Sequence, residues 1–470
     1  MATDNAADIG FNGVLGDTGG YLNESLTLPQ IARGLVGETV DARHLDELQA
    51  RQFCDAHPSA GLAWGDANNL AEAGWGIIWG PESAPWREQL KPLLDLRRAQ
   101  AGPFYKEMEY RTGETKENFL TRYGAGPGPA NPKKVPYYLL IAGGPDSVPF
   151  RLQYQLDVQY AVGRLDFATP EEYANYAANV VAAESGAVTV PRRAAFFGPQ
   201  NADDKATNLS TNYLVTPLAQ NLLEGVKDWD IQTYLAGAAS KAQLGRLLGG
   251  PETPALLFTA SHGMGFRADN PLQLRHQGAL LCQDWPGPRN WRKPVTEREN
   301  FYFSADDVSA DAQLGGLIAF HFACYGAGTP QWDEFSQQLF TPPEQIAPRA
   351  FVARLPQRLL GPANGALAIV GHVERAWGCS FLWGGAGQTE VFEAACRELM
   401  AGSTIGYALE TFNERYAELA TMLTLQLDAV QDGKRPQELE LASLWTAHND
   451  ARSYTIIGDP AARLPLSTDH

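Results

Sequence analysis

Two short segments carry residues able to perform nucleophilic chemistry. LLFTASHGMG presents His262, and GGLIAFHFACYGAG presents Cys324. Each is an apolar run of strand length that ends in a reactive side chain followed by glycine. Such runs read as fully buried strands of a parallel sheet, whose carboxyl ends form the rim where ligands bind. A His and a Cys at two such ends can stand side by side, as a thiol nucleophile and its proton-handling partner require. An ordinary thiol, with pKa near ~8.5, is mostly protonated at neutral pH and must lose its proton as it attacks. Gly263, Gly326 and Gly328 leave room for a substrate backbone. The N–H groups of Gly263 and Cys324 are the expected oxyanion donors. The predicted chemistry is that of a cysteine peptidase.

The other cysteines and histidines compete poorly for these roles. Cys396 lies within a helical pattern, EVFEAACRELM, and Cys282 lies in the long connection after His262. Cys379 and Cys54 have no His-Gly counterpart. His321 precedes Cys324 by three residues, so on a strand the two project to opposite faces. It is expected to be a hydrogen-bonded core histidine. His372 follows the apolar run GALAIVG, and its strand-end position makes it a candidate for lining the site.

The elements that must position these residues alternate along the chain. GWGIIWG (74–80), YKEMEY (105–110) and YYLLIAGG (137–144) read as strands, with helices over 86–100 and 115–124. AVGRLDF (161–167) and a helix over 170–185, with Pro170 in its first turn, close this half. RAAFFGP (193–199), a helix over 212–226, the His262 and Cys324 strands, GALAIVGH (365–372) and SYTIIGDP (453–460) build a second half. Apolar residues at 405, 409, 412 and 416 have the spacing of a buried helix face. This order predicts an α/β protein with mostly parallel sheets flanked by helices, in two side-by-side subdomains. The expected divisions are a loose tail over 1–20, an N-terminal subdomain over 21–188 and a catalytic subdomain over 189–470.

Composition narrows the function classes. The 470 residues are 44% hydrophobic and 19% charged, with a net charge of −17. An acidic chain disfavours nucleic acid and anionic membranes, both of which select basic patches. Five cysteines without a CxxC pair read as free thiols of a reducing compartment, not as a disulfide framework or zinc site. No apolar stretch reaches the ~18 residues of a membrane span, and MATDNAADIGFNG has no signal-peptide pattern. The expectations are a cytoplasmic protein, no metal or other cofactor, and no nucleic-acid or membrane partner.

Taken in order, four segments give the chain a resemblance to the gingipain-type branch of the caspase-like cysteine peptidases. They are YYLLIAGGPDSVP with DVQYAVGRLDFATPEEY, then LLFTASHGMG, LIAFHFACYGAG and YTIIGDPAARL. The resemblance spans roughly 137 to 466. It implies a caspase-like fold, Cys324 as nucleophile, His262 protonating the leaving amine, and no cofactor in the chemistry. Structural calcium occurs in some members of that family. Its third catalytic residue is an acid just after the strand matching RAAFFGP. Asp203 is the candidate, although strict spacing falls on Asn201.

In the arginine-specific members the acid of the substrate pocket matches Asn212. The tryptophan flanking that pocket matches Trp377, and the acid of the lysine-specific members matches Ser380. Neither acid is in place, so the preferred residue before the cut stays open, with Glu374, Asp333 or Glu334 as substitutes. Secreted members carry a leader, a pro-segment and an immunoglobulin-like domain that are not recognisable here.

The expected function is therefore an intracellular endopeptidase acting on a protein or peptide substrate. By analogy with bacterial caspase-like proteins, an activating ligand or protein would gate it during a stress or antiphage response. A catalytically silent caspase-fold scaffold or ligand sensor is the alternative, and a small-molecule amidohydrolase is a third reading. The connection from 264 to 310, with its basic stretch PRNWRKPVTER, is expected to be a mobile gate or a rigid extra hairpin with GALLCQDW as one strand.

Overall fold

The structure is a computed structural model and describes residues 13–21, 61–290, 299–337, 344–431 and 438–467. In chain order, β1 (Gly13–Leu15) is followed by β2 (Trp75–Trp79), α1 (Lys91–Ala101), β3 (Tyr105–Glu109) and α2 (Lys116–Arg122). Next come β4 (Tyr138–Ala142), β5 (Ala161–Leu165), α3 (Pro170–Glu184), β6 (Arg193–Gly198), α4 (Lys205–Ser210) and α5 (Thr216–Gly225). Then follow β7 (Asp230–Leu235), β8 (Leu256–Ala260), β9 (Gly263–Gly265), β10 (Leu280–Leu281), β11 (Tyr302–Phe303) and β12 (Ile318–Phe322). The last elements used below are β13 (Ala368–His372), α6 (Glu390–Met400), α7 (Glu410–Gln431), α8 (Glu438–Arg452) and β14 (Tyr454–Gly458).

Ten strands form one sheet, in the order β3-β2-β4-β5-β14-β13-β12-β8-β6-β7. The sheet is mostly parallel, and β14 runs antiparallel to β13. Every residue of β2, β4, β5, β8, β12 and β13 is buried, which is why these segments are continuous apolar runs without alternation. Helices cover them. Thr169 heads α3 with a reciprocal cap, its hydroxyl accepting from the Glu172 N–H while Glu172 reaches back to the Thr169 N–H. Ile405, Leu409, Phe412 and Tyr416 are buried together, as their spacing predicts.

The two halves expected from the sequence are therefore not separate sheets. β14, the last strand of the chain, is inserted between β5 and β13, with Ile456 and Ile457 paired to Gly163 and Arg164. The sequence reading missed β7, whose exposed, polar-rich pattern belongs to a sheet edge.

A second, four-stranded sheet of order β1-β9-β10-β11 sits over the carboxyl end of β8. Its own small core joins Val14, Met264, Phe266, Leu281, Trp285 and Tyr302. Two expectations change here. Gly13–Leu15, placed in a loose tail, pair in register with Gly263–Gly265, because Val14 buries its side chain completely. The connection after His262 contains the predicted hairpin, Leu280–Leu281 pairing with Tyr302–Phe303, and both strands are buried. Lys293 and Arg298, within the proposed gate, lie outside the described residues.

Candidate active site

The register of β8 and β12 brings the two reactive residues together. Ala260 lies level with Phe322, and two further residues on each strand are His262 and Cys324. Gly263 confirms the closeness, because a Cβ there would lie 1.8 Å from the Cys324 carbonyl oxygen. Only glycine fits that position. His262 and Cys324 are both fully buried.

His262 donates from Nε2 to Asp204 Oδ2, at 3.0 Å. Asp204 is the N-cap of α4, and the same Oδ2 accepts from the Thr207 N–H at 2.8 Å and the Thr207 hydroxyl at 2.6 Å. Its Oδ1 accepts from the Tyr21 hydroxyl at 2.6 Å. Burial alone would raise the Asp204 pKa. The adjacent His262 and these hydrogen bonds outweigh it and hold the carboxyl well below the ordinary range. An ionised carboxylate only accepts, so Nε2 carries the proton and Nδ1 is left to exchange one. Among the described residues Nδ1 has no hydrogen-bond partner. The ring packs against both Tyr21 and Trp285, each with its centroid 5.8 Å away.

Asp203, the expected third residue, does not fill the role. Its backbone is left-handed (φ 58°), which turns its side chain outward toward Arg289, 3.9 Å away. Asn201, the strict-spacing position, is buried and donates to the carbonyls of Cys282 and Trp285. A signal for Asp204 was present in the sequence: Asp directly before a helical segment is an N-cap pattern.

The thiol of Cys324 is covered by the turn after β13. Its Sγ accepts from the Ala376 N–H at 3.2 Å and lies 3.8 Å from the Ala376 carbonyl. Tyr325, next to Cys324, is left-handed (φ 60°) and donates its N–H to the Glu374 carbonyl at 2.6 Å. Glu374 is left-handed as well (φ 77°). Non-glycine residues in this region cost about 1–3 kcal/mol each and gather where surrounding structure enforces them.

That turn is pinned by buried charge. Arg375 grips Asp333 with both terminal nitrogens, at 2.8 and 2.6 Å, and one of them also meets the Glu374 carboxylate. Burial pushes the Glu374 pKa up to about 8, since one guanidinium cannot neutralise two buried carboxylates. Glu374 and Asp333 are thus engaged by the protein's own arginine, and Glu334 approaches Arg452 at 3.2 Å.

Trp377 is buried, its ring 4.9 Å from Phe335 and its N–H donated to Asp450 at 2.8 Å. His372 does not reach the rim. It lies level with Tyr454 of β14, its ring 4.1 Å from that of Tyr454 and its Nε2 3.3 Å from Asp450 Oδ1. Asn212 is exposed on a π-helical turn between α4 and α5, whereas His262 and Cys324 are enclosed. Ser380 bonds Asp450 and the Tyr454 hydroxyl.

His321 is buried, but among the described residues neither ring nitrogen has a hydrogen-bond partner, contrary to expectation. Burial lowers its pKa to about 4. Burial raises the thiol pKa of Cys282, Cys379 and Cys396, which disfavours their thiolates. Among the described residues no His, Cys, Asp and Glu group has the geometry to hold a metal ion. Among the same residues no helix is long and apolar enough to cross a membrane.

No family model matches the chain, and no curated protein matches it. The solved structures to which the chain is similar include two at low identity. One, described as the structure of a protease, is 12% identical, with 83% of this chain and 78% of that chain covered and a TM-score of 0.45. The other is the complex of Porphyromonas gingivalis RgpB pro- and mature domains. It is 13% identical, with 84% and 80% covered and a TM-score of 0.40. A likeness this distant does not assign an activity. The geometry around His262 and Cys324 is the stronger guide to chemistry.

Proposed function

We propose that the protein is a caspase-like cysteine endopeptidase with Cys324 as nucleophile and His262 as its proton-transfer partner. The observation that carries this reading is the His262–Asp204 pair: a buried carboxylate fixes one ring nitrogen and leaves the other without a hydrogen bond among the described residues, beside the strand end that bears the thiol. In the reaction the Cys324 sulfur bonds to the scissile carbonyl carbon, and its proton passes to His262. The tetrahedral oxyanion is met by the N–H groups of Gly263 and Cys324. Collapse breaks the C–N bond, and the proton leaves on the amine. Water then hydrolyses the thioester and restores the thiol. The substrate is a protein or peptide, and a basic residue before the cut must compete with Arg375 for the acids at 333 and 374.

Access requires the turn from 373 to 377 to leave the thiol, so an activating ligand or protein belongs to the proposal. The same cover favours a second reading, a catalytically silent scaffold or ligand sensor. Peptide-library cleavage followed by mass spectrometry, with wild type and Cys324→Ala compared, separates the two. The peptidase reading expects cleavage at a consistent residue by wild type alone, and alkylation by iodoacetamide at Cys324 before the other cysteines. A wild type that neither cuts any peptide nor alkylates at Cys324, across added cell-extract fractions, would leave the scaffold reading.

A further inference from the structure

We infer that Tyr21 is a positioning residue of the catalytic pair, carried into place by an N-terminal strap that docks on the His-Gly strand. This deepens the peptidase reading and rests on it. The strap is built, not draped. β1 lies parallel to β9, with Gly13, Val14 and Leu15 level with Gly263, Met264 and Gly265. The Gly16 N–H donates to the Gly265 carbonyl at 2.8 Å. A tight turn then reverses the chain, with bonds from the Gly19 N–H to the Leu15 carbonyl and from the Leu15 N–H to the Gly20 carbonyl, both 2.8 Å. Asp17 accepts from the Asn270 side chain. The turn delivers Tyr21 to the one oxygen of Asp204 that His262 does not use.

Each Asp204 oxygen thus has its own task. Oδ2 takes His262 and Thr207, and Oδ1 takes Tyr21. Two anchored oxygens fix the plane of the carboxylate, and with it the direction of the bond to His262. The strap does not act by covering the sulfur. Cys324 Sγ is covered by Ala376, from a different part of the chain, whereas Tyr21 touches the acid and the imidazole.

Tyr21→Phe in the full chain keeps the ring and the strap and removes only the hydroxyl. The expected result is a kcat lower by about tenfold, the scale of one hydrogen bond to a charged group, with KM unchanged. The downfield proton resonance of the His262–Asp204 hydrogen bond, recorded in a Cys324→Ala background, should shift or broaden. Gly16→Val is the second variant, because a Cβ at Gly16 would stand 1.9 Å from the Phe266 ring and so lift the strap. It should reproduce both effects. A native kcat and a native resonance in Tyr21→Phe would overturn the inference. So would a rise in kcat, which would make the strap an occluding one, or a rise in KM alone, which would make Tyr21 a substrate contact. The resonance is read without turnover. A wild type that neither cuts nor alkylates at Cys324 with the added cell-extract fractions therefore sinks the peptidase reading, while the resonance still judges Tyr21.

Discussion

Asp203 is itself left-handed and Asp204 is extended, so one carboxylate faces solvent and the other faces His262. The difference has a direct kinetic consequence. Asp204→Ala leaves His262 without its acceptor and frees the ring to turn, and a misplaced general acid–base costs on the order of 10²-fold or more. Asp203→Asn removes only an exposed charge and keeps a side chain that tolerates the left-handed backbone, and turnover should stay within about twofold, as surface changes away from a site usually do. Measuring kcat for both variants on one peptide substrate decides which acid serves the site. Equal losses would return the role to Asp203. That Cys324 and His262 stand at neighbouring strand ends was legible in the sequence, because an apolar strand that stops at a reactive residue and a glycine advertises a rim. The carboxylate that meets His262 was not, because counting from a strand end cannot see a backbone that turns left-handed at Asp203. Tyr21 was invisible for another reason: its partner is 183 positions away, and the short strand that delivers it has no periodicity to read.

At the scale of elements, the turn from β13 to Trp377 does most to define the closed site. Its sequence, HVERAWG, offered Glu374 as an acid for a substrate side chain, but the fold binds that acid to Arg375 and encloses it. Burial is the deciding term, and a hydropathy pattern does not reveal whether a charged residue at a strand end faces water or its neighbour. The enclosure predicts a pH dependence. Glu374 ionises with a pKa of about 8 when folded against an ordinary value of 4.5, so the folded protein holds a proton that the unfolded chain releases. The folded state binds more protons within that window, and stability therefore falls as pH rises through it. One such group contributes a slope of up to ~1.4 kcal/mol per pH unit. Glu374→Gln should flatten the decline, so that the variant gains on the wild type as pH climbs from about 4.5 toward about 8. Thermal melting of the two proteins across that range is the measurement. Parallel curves would show that Arg375 keeps Glu374 ionised throughout.

Across the whole molecule, the closing motif Gly458-Asp459-Pro460 accounts for how one sheet is made from two runs of alternating elements. The sequence placed these residues at the end of a last strand, but not that the strand would lie in the middle of the sheet. Strand order is a long-range property, and a local pattern of strand and helix does not fix it. Asp459 is fully buried, and besides the Ala461 N–H on its Oδ1 its carboxylate bonds partners from the first half of the chain. Its Oδ1 accepts from the Trp75 indole at 2.9 Å, its Oδ2 from Arg97 Nε at 2.8 Å, and its N–H donates to the Tyr176 hydroxyl. Tyr176 in turn donates to the Leu367 carbonyl, just before β13, at 2.8 Å. Arg97 continues to Glu184 at 3.0 Å, so α1, α3, β2 and the strand end after β14 share one charged hydrogen-bond network. Asp459→Ala would leave the buried Arg97 guanidinium short of a carboxylate and the Trp75 N–H without its acceptor. Breaking a buried pair from one side costs about 3–5 kcal/mol, a large part of the ~5–15 kcal/mol by which domains are stable. Denaturant unfolding should therefore show a lower midpoint of that size. The variant that remains folded at low temperature should keep its alkylation rate at Cys324, because no member of the network touches His262, Asp204 or Cys324. A slower Cys324 reaction in the folded variant, with the midpoint unchanged, would move Asp459 from holding the sheet together to shaping the site.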